Sequence, residues 1–174
     1  MRWLVLASLM LLIGLSVATP AWASGSKRCA ASQLRPVAAF YTGAMDNELV
    51  DFRLTNTGTR CELRGYPSVL PMTSGGHPMS VREIRTRQPF PSGKNLPVRT
   101  VVLLHGGSAY FTLGYREFDP AGHGHACRPF AVSARVRAPG ARRGKIVRFS
   151  KDVEVGFCAD VMRVGPVVAR RPWG

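Results

Sequence analysis

Leu49-Val50-Asp51-Phe52-Arg53-Leu54-Thr55 decides how this chain must fold. Val50, Phe52 and Leu54 fall on one side of an extended backbone, and Asp51, Arg53 and Thr55 fall on the other. Successive side chains of a strand point to opposite faces, so this period of two marks a strand buried on one face. Asn56-Thr57-Gly58 then supplies residues suited to a turn. Beyond it the alternation resumes, with Cys61 and Leu63 inward and Arg60 and Glu62 outward.

Working outward, the same pattern recurs in short segments. Val69 to Met72 reads as a strand, followed by the hairpin signal Ser74-Gly75-Gly76. Leu96 to Leu104 and Ala109 to Tyr115 read as a hairpin around His105-Gly106-Gly107-Ser108. In Phe130 to Val136, Phe130, Val132, Ala134 and Val136 are expected inward, against Ala131, Ser133, Arg135 and Arg137. Ile146 to Phe149 and Val161 to Val164 are the last candidate strands. No helical period of ten or more residues follows residue 23. The chain is therefore expected to be all-β, a two-sheet antiparallel β-sandwich. Arg82 to Asn95 shows no period and is expected to be a long basic loop.

The N-terminus carries an export signal by its pattern. Arg2 precedes an apolar run over residues 3–17, Thr19-Pro20 ends it, and Ala21-Trp22-Ala23 has the small-x-small form of a cleavage site. The expected organisation is a signal peptide at 1–23, one domain at 24–166 and a short tail at 167–174. An uncleaved anchor is the alternative, and membrane contact is expected only through the uncleaved leader. Lys27-Arg28 before Cys29 argues against a lipoprotein. The expected location is secreted or extracytoplasmic, at the cell envelope. In such a compartment Cys29, Cys61, Cys127 and Cys158 read as two disulfides, with three possible connectivities. Cys29–Cys61 with Cys127–Cys158, tying each end of the domain to itself, is the expected pairing. No two cysteines show the C-x-x-C spacing of a zinc site.

The formal charge is +14, and +13 once a leader holding Arg2 and no acid is removed. Arg135, Arg137, Arg142, Arg143, Lys145, Arg148 and Lys151 form the densest basic stretch, with no acid between Asp119 and Asp152. Arginine's planar fork suits bidentate contact with phosphate or carboxylate, so anionic components of the cell envelope are the expected partners. A solvated edge that discourages strand pairing, or GC-rich codon usage, explains the same charges. Phe149 is the one aromatic in the stretch, too few for specific nucleic-acid stacking.

Catalytic patterns are fragmentary. His105-Gly106-Gly107 resembles an oxyanion loop but lacks a G-x-S-x-G elbow. Gly140 to Lys145 departs from a phosphate loop in spacing, and Ile146 stands where Ser or Thr should be. His123-Gly124-His125 beside Asp119 reads either as a weak surface chelator or as a polar loop. Gly65-Tyr66-Pro67 reads as corner architecture. The expectation is a non-enzymatic monomer without metal or cofactor, serving as a binding or structural module. The rival is a hydrolase-like enzyme assembled from dispersed residues such as Ser108, Asp119 and His123.

Several of these residues together resemble one family. They are Cys29 with Leu34, Leu54-Thr55-Asn56-Thr57-Gly58 running into Cys61-Glu62-Leu63-Arg64-Gly65-Tyr66-Pro67, and Gly107-Ser108-Ala109. Cys127, Ala138-Pro139-Gly140, Cys158 and Val164-Gly165-Pro166-Val167 complete the set. The pattern is similar to the exported bacterial domain of unknown function 4232, common among actinobacteria, over residues 29 to 167. The resemblance implies an immunoglobulin-like β-sandwich, exported or surface-bound, with no catalytic residues to carry over. This chain departs from it in His105-Gly106, where members often carry Pro-Gly, and in its greater basicity.

Overall fold

A computed structural model describes residues 27–44, 47–91, 93–117, 129–151, 153 and 155–172. The leader at 1–23 and Asp119, His123, His125 and Cys127 lie outside the described residues. Among those described, ten strands form three sheets. The largest runs β1-β2-β7-β10-β5, where β1 is Leu34–Ala44, β2 is Asn47–Asn56, β5 is Arg82–Arg85, β7 is Ser108–Arg116 and β10 is Val161–Val164. A three-stranded sheet runs β4-β8-β9, from Ser68–Met72, Ser133–Arg137 and Lys145–Arg148. A two-stranded sheet pairs β3, Cys61–Leu63, with β6, Val101–Leu103.

The apolar face read in the opening stretch is realised, whereas Asp51, expected on the solvated side, is buried. Val50, Phe52 and Leu54 are buried in the same cluster as Ala109, Phe111 and Leu113 of β7. Val69, Ala134, Val136 and Val147 reach that cluster from the three-stranded sheet, and Cys61, Leu63 and Leu103 from the two-stranded one. Phe52 and Phe111 are cross-strand partners whose rings stack 4.8 Å apart, and Phe149 meets Phe52 edge-on at 6.2 Å. Such aromatic pairs add about 0.5–1.5 kcal/mol beyond the apolar area they remove from water. The Cys29–Cys61 disulfide is formed, with Cα atoms 4.8 Å apart. Around it Cys29 N donates to Glu62 O and Glu62 N to Lys27 O, so residues 27–29 run alongside β3.

Several expectations from sequence fail for identifiable reasons. Leu103 and Ala109 do not flank a hairpin: β6 pairs with β3, whereas β7 pairs with β2, and the turn between them carries the chain from one sheet to another. Arg82–Arg85 is a strand, β5, paired parallel to β10; its four residues are too few to show a period, and the sheet is thus not wholly antiparallel. β1 has no clean alternation because Pro36 sits within it and a bulge between Ala38 and Phe40 reverses the phase. An edge strand tolerates both features. In the segment before β8 the expected faces are inverted: Ala131 is buried and Val132 is 45% exposed, with Ser133 and Ala134 both buried where the phase slips. The segment after β10 is docked, since Val167 is buried and Val168 exchanges two backbone hydrogen bonds with Tyr110.

One side chain fixes two corners at once. Asn56, fully buried at the end of β2, accepts at Oδ1 from Gln33 Nε2 and Gly58 N. Its Nδ2 reaches the carbonyls of Thr59, Leu103 and Leu104 at 2.9, 3.2 and 3.1 Å. Its backbone N donates to Gly107 O, and its carbonyl accepts from Gly106 N. The Leu104–Gly107 turn closes with Gly107 N on Leu104 O and places Gly106 at φ 76°, a conformation glycine adopts without a Cβ penalty. At the next corner Gly65, φ 102°, offers its carbonyl to Val167 N.

Candidate anion-binding surface

The basic residues singled out in the sequence lie on the hairpin of β8 and β9, but not on one face. Arg135 pairs with Ile146 in register, and both are exposed, Ile146 at 52%. Arg137 stands two residues on, exposed, with its Nη2 3.3 Å from Ser68 Oγ. The stems of Arg135 and Arg137 both cross Gly144, where a Cβ would stand 2.9 and 2.7 Å from their Cγ atoms. A Cβ there would also stand 2.8 Å from Val136 O, so this close approach depends on glycine. Arg148 follows Ile146 on the same outward side by strand alternation, and Arg142 lies in the turn, exposed.

Lys145 belongs elsewhere. It pairs with buried Val136 and sends its Nζ to Ser32 O at 3.0 Å, across the seam with the segment before β1. Arg143 lines the same small recess beside Leu34 and Pro36. Conversely, the structure adds a cation that the sequence reading missed. Arg28 lies against the Gly140 turn, its Nη1 3.3 Å from where a Cβ of Gly140 would stand. Only the long-range pairing of residues 27–29 with β3 brings it there, so no local pattern could have revealed it.

Beside the hairpin runs a groove of about 780 Å³, lined by Met72, Phe130, Val132, Ile146, Arg148 and Lys151 among others. Its volume is that of a small-ligand site. Its character is amphipathic: exposed apolar Val132 and Ile146 next to two cations. Among the described residues the one salt bridge joins Arg85 to Glu83 at 3.2 Å, on the other sheet. Arg135, Arg137, Arg142 and Arg148 are therefore exposed without ionic partners among the described residues.

The groups whose protonation is perturbed lie away from this surface. Burial pushes the Asp51 carboxyl above its ordinary range, opposed by the hydrogen bond from Thr112 Oγ1 and by the charge of Arg171. Asp51 Oδ1 accepts that bond at 2.5 Å, whereas Oδ2 has no hydrogen-bond partner. Burial, and then the neighbouring Glu117 carboxylate, raise Glu48. Burial also raises Tyr115, with Glu117 and Glu48 adding to it. None of these groups lines the groove. Ser108, the one described member of the dispersed catalytic set, shares a hydroxyl hydrogen bond of 3.0 Å with Thr55. No group of three His, Cys, Asp or Glu side chains suited to a metal occurs among the described residues.

Comparison with known families adds one finding. The model of a domain of unknown function, DUF4232, matches residues 29–168, and the chain belongs to that family. No curated protein and no solved structure matches it.

Proposed function

We propose that this member of the DUF4232 family is an exported, non-enzymatic module of the cell envelope that binds anionic surfaces through the outer face of its β8–β9 hairpin. The observation that carries this reading is the set Arg135, Arg137, Arg142 and Arg148: exposed, without an ion-pair partner among the described residues, and on the hairpin that carries exposed Ile146 beside Val132. A surface meant only for solubility has no need of apolar residues among its cations, whereas a docking face uses both. The proposal extends to the finer architecture: an immunoglobulin-like sandwich, a leader cleaved after Ala23, and a second disulfide between Cys127 and Cys158. Support for the bridge is that none of the described cysteines, Cys158 included, is free. Peptide mapping without reductant should recover Cys127 linked to Cys158, and N-terminal sequencing of the secreted protein should begin at Ser24.

Binding is tested by titrating the mature protein with phosphatidylglycerol vesicles and, separately, with a heparin-like polymer. Affinity is expected to fall steeply as salt rises, because exposed charges are screened within about 8 Å at physiological ionic strength. Net charge alone gives some of that fall, so the decisive comparison is local. Arg135→Glu, Arg142→Glu and Arg148→Glu together are compared with an equal reversal at Arg64, Lys94 and Arg99, which are exposed in loops outside the hairpin. Far greater loss from the first set supports the reading. Equal losses would mean that the positive charge is diffuse.

A further inference from the structure

A second cationic feature lies on the five-stranded sheet, on the face turned away from the core. In the parallel pair Val161 stands opposite Arg82, and Arg163 stands opposite Ile84. Between them Met162 and Glu83 face inward: Met162 is buried in the core, and Glu83 Oε2 accepts from Val69 N at 2.8 Å. Alternation therefore turns Arg82, Ile84, Val161 and Arg163 outward. Arg116, one residue past buried Tyr115 at the end of β7, joins the same face. Three arginines from three adjacent strands consequently line one pocket of about 200 Å³, completed by Ile84, Val161 and Cys158.

Among the described residues no carboxylate lines this pocket. Among the described residues none of its three arginines has an ion-pair or side-chain hydrogen-bond partner. Paired strands fix the backbone positions of Arg82 and Arg163, and Arg163 is half-buried between its neighbours. Three like charges held around one small concavity repel one another, and an anion placed among them relieves that repulsion. Each guanidinium donates through a planar fork suited to oxyanions. Donors arriving from three strands match a group with three free oxygens and two charges better than a carboxylate, which has two oxygens and one charge.

We propose that this pocket binds phosphate, either as the free ion or as the terminal phosphomonoester of a larger molecule. It lies across the core from the β8–β9 hairpin and is independent of the surface binding proposed above. Calorimetric titration of the full-length protein at low salt, with inorganic phosphate and in parallel with glycerol phosphate, tests it. Saturable one-to-one binding is expected for at least one of them, with acetate much weaker. A tighter ester would identify the end of a larger molecule as the ligand; equal or tighter inorganic phosphate would identify the free ion. Arg163→Gln should weaken binding about tenfold or more, the factor expected for one charge-assisted contact. Arg82→Gln, on an exposed edge strand, should weaken it with the thermal midpoint unchanged, which keeps the test valid if Arg163→Gln fails to fold. Arg163→Lys, retaining charge but not the fork, should restore only part of the affinity. The hairpin reversal should leave phosphate binding intact. Absence of saturable binding, indifference to Arg82→Gln, or loss through the hairpin reversal would overturn the assignment.

Discussion

The corner held by Asn56 and the hairpin carrying Arg135 to Arg148 treat polar groups in opposite ways. At the corner every polar atom of one buried amide is engaged, and four backbone groups depend on it. On the hairpin four guanidinium groups stand in solvent without ionic partners among the described residues. Removing a side chain from the first region takes the partner from a buried carbonyl and an amide; removing one from the second returns solvent to where it already was. The Asn-Thr-Gly and Cys-x-Leu-x-Gly-Tyr-Pro runs that carry the family resemblance belong to the first region. Those motifs thus specify architecture, and the basic residues are free to serve binding.

The sharpest way to break this contrast is Asn56→Ala. It removes the side-chain partner of Leu103 O and Gly58 N, whereas Thr59 O keeps Gln33 Nε2 and Leu104 O keeps Gly107 N, and each buried group left unsatisfied costs about 1–3 kcal/mol. Since neighbouring bonds relax together, the expected loss is about 3–5 kcal/mol in denaturant unfolding. A loss below about 1 kcal/mol would show that water replaces the amide and that the corner is not fixed by it.

Cys61→Ala follows in size. The bridge spans 32 residues and pins residues 27–29 beside β3, and losing such a bridge from a small domain costs roughly 2–5 kcal/mol. The same change should loosen Arg28 from the Gly140 turn. Limited proteolysis should then cut near residue 28 in the variant and not in the parent.

What was legible in the sequence follows from how far each feature reaches along the chain. The alternation of β2 was legible because Val50, Phe52 and Leu54 bury one face of a long strand between two neighbours. The pairing of Cys29 with Cys61 was legible from spacing within one end of the domain. β5 was not, because four residues on an edge carry no period and gain their strand only by docking on β10, nearly eighty residues later in the chain. The false hairpin had correct turn residues; His105-Gly106-Gly107 does turn, yet nothing local states which sheet the chain enters next. The same limit hid the pocket of Arg82, Arg116 and Arg163, whose members meet only through strand order. The hairpin cations were found by density along the chain, and two of them, Arg143 and Lys145, line a recess beside β1 instead of the outward face.

Asp51 stands between the two regions in character: buried like Asn56, yet with Oδ2 unpartnered. Because its carboxyl is raised in the folded protein, the folded state holds this proton to higher pH than the unfolded chain does. Its contribution to stability is therefore greatest below the ordinary carboxylate range and is lost as pH rises through the raised value. Asp51→Asn removes that dependence, so the variant should lose less stability than the parent between acidic and neutral pH. Arg171→Gln should do the opposite, since it withdraws a charge that opposes the rise. If both variants track the parent across that range, Asp51 is not the group responsible.

The smallest expected effects lie on the hairpin and are the reason it can serve as a surface. Arg135→Ala, Arg142→Ala and Arg148→Ala should each change unfolding free energy by no more than about 0.5 kcal/mol, the usual span for exposed positions. Their sign depends on salt. A chain of charge +14 with a single ion pair among its described residues is held against its own repulsion, and dissolved ions screen that repulsion. The parent should accordingly become more stable as salt rises from low to physiological concentration, the reverse of a protein stabilised by surface ion pairs. Neutralising the three hairpin arginines together should stabilise the protein at low salt and reduce the further gain from added salt. Unfolding curves at two salt concentrations decide the matter. A parent that loses stability with salt would mean that its cations are engaged by acidic partners within the chain, leaving the hairpin without the free charge its proposed role requires.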